Sequence, residues 1–182
     1  MASGQITIQV VPLGPVDDRL LQVVAANIYA LYRLPARVGR GGAVPPAAYD
    51  DRRHQFDAAI LLKHLDRRRG VAALQKTIAV TAVDIFVPIF SHVFGEARQG
   101  GGAALVSIHR LGGDTSDSPS EKGSAERYLR TVKVALHELG HLFNMPHCED
   151  SRCLMHYAET LAAIDRTPLQ FCRYCRAELP LA

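Results

Sequence analysis

The run His137-Glu138-Leu139-Gly140-His141-Leu142-Phe143-Asn144-Met145-Pro146-His147 constrains this chain more than any other stretch. Two residues four apart on an α-helix differ by about 40° in azimuth and about 6 Å in height. His137 and His141 can therefore grip one metal ion from a single helical face. Glu138 stands one step round the same helix, where its carboxylate reaches a water on that ion more easily than the ion itself. A third ligand must come from beyond the helix, so the chain has to turn soon after His141. Asn144 lies where the helix should end, and asparagine follows glycine in tolerating the left-handed conformation. Pro146 blocks further helix, and His147 follows at once. A bare H-E-x-x-H also arises by chance on amphipathic helices. The turn and the third histidine argue instead for a zinc site of three histidines with Glu138 as its general base.

All four cysteines, Cys148, Cys153, Cys172 and Cys175, fall in the last quarter of the 182 residues. They read C-x4-C and C-x2-C, two short-spaced pairs of the kind that close a tetrahedral thiolate site for zinc. Four thiolates leave no open position, so this second zinc is expected to be structural. Residues 1–10 show neither a basic nor an apolar leader segment, and no apolar run approaches the ~18–20 residues that cross a bilayer. The expectation is a cytoplasmic protein with reduced thiols and no membrane contact. The net charge of +3 is small. Its one tight basic run, Arg67-Arg68-Arg69, sits at a predicted helix end, where cations suit the dipole. Without interleaved aromatics it gives no nucleic-acid footprint.

The combined pattern resembles a known group. H-E-x-x-H-x-x-[turn]-x-x-H followed by a methionine, here Met155, is the metzincin signature, with Asn144 where glycine is usual. With H-C-x4-C-x-M and a later C-x-x-C, the chain is similar to the archaemetzincins. The likeness extends more weakly to Arg53-His54-Gln55-Phe56-Asp57-Ala58, to Thr81-Ala82-Val83-Asp84-Ile85-Phe86 and to Val93-Phe94-Gly95-Glu96-Ala97. It implies a metzincin-like α/β fold, with a twisted mixed β-sheet packed by helices. It also implies two zinc ions per chain: a catalytic one on His137, His141 and His147, and a structural one on Cys148, Cys153, Cys172 and Cys175. Met155 would form the apolar floor of the Met-turn. Tyr157 stands where astacins and serralysins place a tyrosine that binds zinc or stabilises the oxyanion. Packing in the lower part of the fold is the preferred reading of Tyr157, with that auxiliary role as the alternative. His109 and His156 are not assigned as ligands.

The length suits one compact domain spanning 1–182. Residues 1–147 would form an upper part with the active-site helix, and 148–182 a zinc-tied lower subdomain. Alternation predicts a strand over 5–11, closed by Pro12. Asp17 and Asp18 open a helix, and 36–38 form a short strand. A second helix is expected over 54–69 with Phe56, Ile60, Leu61 and Leu65 inward, then a buried strand over 77–83. Strands over 93–97 and 104–109 flank Gly100-Gly101-Gly102. Residues 112–123 read as a polar loop, with Ser124 capping the long helix. The order of strands and helices argues a mixed α/β sheet.

The expected reaction is peptide-bond hydrolysis. Glu138 would take a proton from the attacking water and pass it to the leaving amine. The substrate, a peptide or protein, would pair with an edge strand near 105–109. A zinc-stabilised peptide-binding module with little turnover is the alternative. Glu138 argues against it, since a scaffold needs no acid beside its first ligand. The chain is expected to act as a monomer.

Overall fold

The computed structural model describes residues 5–69, 74–112 and 121–179. Its frame is a five-stranded sheet in the order β2-β1-β5-β8-β7. These strands are β1 (Thr7–Leu13), β2 (Ala36–Val38), β5 (Gln75–Thr81), β7 (Gly95–Ala97) and β8 (Ala103–Ser107). The first four in this order pair in parallel, and β7 closes the edge antiparallel to β8. Successive side chains of a strand point to opposite faces, and here both faces are covered. Ile8, Val10, Ile78, Val80, Ala104 and Val106 face α1 (Asp18–Tyr32) and α3 (Glu121–Leu142). Val11, Leu13, Ala79 and Leu105 face α2 (Ala58–Arg69). Near-continuous apolar strands are what a doubly covered parallel sheet requires.

Several boundaries differ from the sequence reading. β1 runs through Pro12 to Leu13 instead of stopping at residue 11. Residues 8, 10 and 12 turn their backbone polar groups toward β2, where Ile8 N–H meets Pro35 O and Val10 O meets Gly39 N–H. β2 ends at Val38, so the N–H that Pro12 lacks has no strand to meet. The predicted helix over 54–69 starts only at Ala58, because Gln55–Asp57 is a strand, β4. Asp57 accepts from the amides of Ala59 and Ile60 and so caps α2. Ile60, expected inside, is 41% exposed, and Leu62 takes its place in the core. Strand β5 ends at Thr81, two residues short of the expected end. α3 begins by Glu121, which puts Ser124 inside the helix and not at its cap. Most of the expected polar loop, 113–120, lies outside the described residues.

β3 (Tyr49–Asp50), β4 and β6 (Ile85–Phe86) form a second, three-stranded sheet. The segment after α3 carries α4 (Leu161–Arg166) and α5 (Arg173–Ala177). Its Leu154, Met155, Ile164 and Phe171 join the same hydrophobic cluster as α1 and α3. The edge strands of the five-stranded sheet are β2 and β7; β8, which the sequence reading offered to substrate, is paired on both sides. No helix among the described residues is long and apolar enough to cross a membrane.

Candidate functional site

α3 delivers His137 and His141 to one face, and the chain turns back directly after it. Asn144 has φ 65°, the left-handed conformation expected of a helix C′ residue. Its N–H donates to His141 O, and Met145 N–H reaches Gly140 O. Gly100, itself at φ 67°, donates its N–H to His141 O across 2.9 Å. The glycine turn between β7 and β8 thereby caps the active-site helix. His147 then faces the other two rings, with centroid separations of 4.8, 5.2 and 4.9 Å around the triangle. One ring nitrogen of each histidine lies within 4.8 Å of the others.

The hydrogen bonds of the rings define their protonation. His137 Nδ1 donates to Leu154 O at 2.9 Å, and His141 Nδ1 to Met145 O at 2.8 Å. A carbonyl only accepts, so each Nδ1 carries the proton. Burial lowers the pKa of His137 to about 3 and also lowers those of His141 and His147. The rings are therefore neutral, and the Nε2 atoms of His137 and His141 face each other as bare lone pairs at 3.1 Å. Two lone pairs at that range repel unless a cation lies between them. Two Zn–N bonds of about 2.05 Å at the tetrahedral angle separate their nitrogens by about 3.3 Å. The donor set fits zinc in chemistry and in spacing.

Glu138 is 7% exposed. A methyl group on Gly95 of β7 would stand 2.6 Å from its Oε1, so the edge strand lies directly on this carboxyl group. Burial raises its pKa well above the ordinary value, and Glu96 adds like-charge repulsion. Met155 is fully buried beneath the helix. Its Sδ would be 2.4 Å from a Cβ on Gly140, which explains glycine inside α3 at that position. Tyr32 supports the same turn, donating from its hydroxyl to Leu136 O. Tyr157 is not packed in the lower segment. It is 42% exposed and its ring lies 4.9 Å from that of His147, on the cleft side.

The four cysteines converge below, with one sulfur of each within 4.8 Å of the others. Cys148 and Cys172 Sγ are 3.8 Å apart. That is far from the ~2.05 Å of a disulfide and matches the ~3.8 Å between two thiolates on one tetrahedral zinc. Cys172 caps α5 and accepts from the Cys175 amide, which lowers its pKa to about 7. The two clusters share backbone. Cys148 follows His147, and Cys153 precedes Leu154, whose carbonyl orients His137.

A cleft of about 620 Å³ opens over the histidines. Phe90, His92, Glu96, Lys133, Ile164 and Thr167 are among the residues that line it. The rim at 87–93 is held by two of the upstream stretches that carried the family likeness. Arg53 donates to the carbonyls of Pro88 and Phe90 and stacks on Phe86. Gln55 donates to Ser91 O and to Asp84, which Arg110 grips with two nitrogens. Burial would raise the pKa of Asp84, but the bonds from Arg110 and Gln55 outweigh it and the net shift is downward. The sequence reading missed Gly95, Gly140 and Lys133. For Lys133 a signal existed: it stands four residues before His137, on the same helical face.

Residues 39–180 match the family model of Peptidase family M54. The archaemetzincin of Halobacterium salinarum is 31% identical over 170 residues, covering 93% of this chain and 96% of that protein. The archaemetzincin of Pyrococcus furiosus is 33% identical over 179 residues, covering 93% and 90%. The crystal structure of the Archaeoglobus fulgidus archaemetzincin, complexed with malonate, superposes with a TM-score of 0.78 at 29% identity, over 95% of this chain and 99% of that one. The Methanopyrus kandleri archaemetzincin gives 0.82 at 27% identity, over 98% and 96%. With a family match across most of its length and a fold shared end to end, this chain belongs to the archaemetzincins of peptidase family M54 and is a zinc metallopeptidase.

Proposed function

We propose that the chain hydrolyses peptide bonds as one catalytic domain, with residues 148–182 forming its zinc-tied lower part. His137, His141 and His147 would hold the catalytic zinc, and Cys148, Cys153, Cys172 and Cys175 a structural one. The observation that carries the reading is the pair of facing Nε2 lone pairs, each ring anchored through Nδ1, beside a buried carboxyl group. Zinc in a site of neutral imidazoles polarises a carbonyl and makes water acidic near neutral pH.

The chain's own groups supply the rest. Glu138 takes a proton from the attacking water and delivers it to the leaving amine. Burial raises its proton affinity, which suits a group that carries the proton from the water to the nitrogen as the C–N bond breaks. Gly95, lying on that carboxyl group, keeps it from rotating away. An extended substrate adds to the free edge of β7 as a further strand, which lays its backbone across the cleft. Tyr157, over the ring of His147, can donate its hydroxyl to the oxyanion that develops there.

Zinc analysis and turnover of a peptide library test this. The parent should carry two zinc ions, and Glu138→Gln should keep both while losing roughly 10²–10⁴-fold in kcat. Undiminished cleavage by that variant would remove Glu138 from the mechanism.

A further inference from the structure

The cleft wall one turn upstream of His137 carries a cation that the mechanism leaves unused. Lys133 leaves the same face of α3 as His137, about 6 Å away along the axis. It lines the cleft beside Ile164 and Thr167, yet it is 7% exposed. Its Nζ donates to the carbonyls of Ile164 at 2.8 Å and Asp165 at 2.9 Å, both in the last turn of α4. An ammonium has three N–H donors, which leaves one for whatever enters the cleft.

The charge has no carboxylate of its own. The Asp165 carboxylate is gripped through both oxygens by Arg130, at 2.7 and 2.8 Å. Glu126 also turns to Arg130, at 3.9 Å. Among the described residues, no carboxylate is in ion-pair contact with Lys133. Burial accordingly lowers its pKa, with Asp165 opposing. Tethering α4 through two neutral carbonyls does not by itself require a charge this costly to bury. The other charged side chains lining the cleft, Glu96, Glu138 and Glu159, are acids. Lys133 is thus the one lysine or arginine among the described residues lining this cleft, a point of anion attraction separate from the metal the histidines would hold. Val134, Leu154 and Ile164 line the same cleft. Apolar flanks that end in a cation suit a short aliphatic chain ending in a carboxylate.

We propose that Lys133 is a specificity-determining residue that receives a substrate carboxylate beside the metal site. The enzyme then cuts preferentially where an acidic side chain, or the free carboxylate of a short peptide's C-terminus, lies next to the scissile bond. This deepens the hydrolytic reading above and rests on it.

The test uses zinc-loaded protein and peptides in which one glutamate steps through the positions flanking the cleaved bond. Each is paired with its glutamine isostere, and each is made as a C-terminal acid and as an amide. At one position glutamate should raise kcat/KM about tenfold, as a buried charged hydrogen bond does. Lys133→Met should erase that ratio, and Lys133→Arg should largely keep it. A preference that persists in the amides assigns the side-chain carboxylate; one that vanishes on amidation assigns the terminal carboxylate. Equal cleavage of glutamate and glutamine at every position, and of acid and amide, would overturn the proposal. So would a Lys133→Met variant that slows all peptides alike, which is the mark of a tether for α4. Should that variant not fold, the ratio in the parent still decides. Should nothing be cleaved, the hydrolytic reading fails. The same pairs titrated onto zinc-loaded Glu138→Gln and onto its Lys133→Met double variant then judge recognition alone: a preference for the carboxylate partner that the double variant loses supports it, and one that it keeps, or equal binding throughout, overturns it.

Discussion

His137 shows how one side chain placed to hold a metal also couples folding to pH. In the folded chain its ring stays neutral down to about pH 3, because burial outweighs the help that Leu154 O gives the cation. In the unfolded chain the same ring takes a proton near pH 6.5. Between these values the unfolded state binds the extra proton, so this ring's contribution to stability falls as pH falls through that window. His141 and His147, also lowered by burial, push the same way. The Glu138 carboxyl group, raised by burial, pushes the other way, so in metal-free protein the contribution of His137 from pH 7 to pH 4 is read as the difference between the parent and His137→Gln. Each fully shifted ring would contribute up to about 1.4 kcal/mol per pH unit. Differential scanning fluorimetry of the parent and of His137→Gln checks this, and the variant's curve should be shallower. Identical slopes would mean that His137 is not the group being titrated.

At the scale of elements, the cleft rim depends on strands distant in sequence. Gln55 on β4 bonds Asp84 at the start of β6 and the Ser91 carbonyl beyond it. It is 6% exposed, so removing its amide leaves partners without replacement by water. Gln55→Leu should cost about 2 kcal/mol of stability and speed amide exchange at 91–93. It should raise KM more than it lowers kcat, since the histidines are untouched. Exchange rates matching the parent would place the rim's support elsewhere. This is also where sequence reading stopped. The histidine run and both cysteine pairs were legible, because metal geometry imposes short, fixed spacings. The left-handed turn at Asn144 was legible for the same local reason. Contacts between remote segments leave no periodic mark. Gly95 against Glu138, the Leu154 carbonyl on His137 and the edge position of β7 each needed the assembled sheet. Gln55 itself was noticed, but in a stretch expected to be helical. Its side-chain bond to Asp84, and the pairing of the next two residues with Ile85–Phe86, depend on residues nearly thirty positions away.

Over the whole molecule, the two metal-binding clusters behave as one structure. His147 and Cys148 are consecutive, and Cys148 N–H donates to Met155 O at 2.8 Å. His156 Nδ1 donates back to Cys148 O. Cys153 fixes Leu154, whose carbonyl holds the ring of His137 and whose N–H meets Gln170 O. Two of the three imidazoles are thus positioned by, or joined to, backbone that adjoins Cys148 and Cys153. Outer contacts of this kind typically change metal affinity by about 10–100-fold. If the cysteines hold zinc as proposed, Cys153→Ser should release it and also weaken metal binding at the histidines by about that factor, although no histidine is altered. Melting should drop by roughly 10 °C or more, since a structural zinc contributes several kcal/mol to folding. Native mass spectrometry and competition with a chromophoric chelator separate the two effects. A variant that retains one zinc at parental affinity would mean that the histidine site is organised by α3 and its cap alone. In that case the bonds through Leu154 and Cys148 carry no coupling between the clusters.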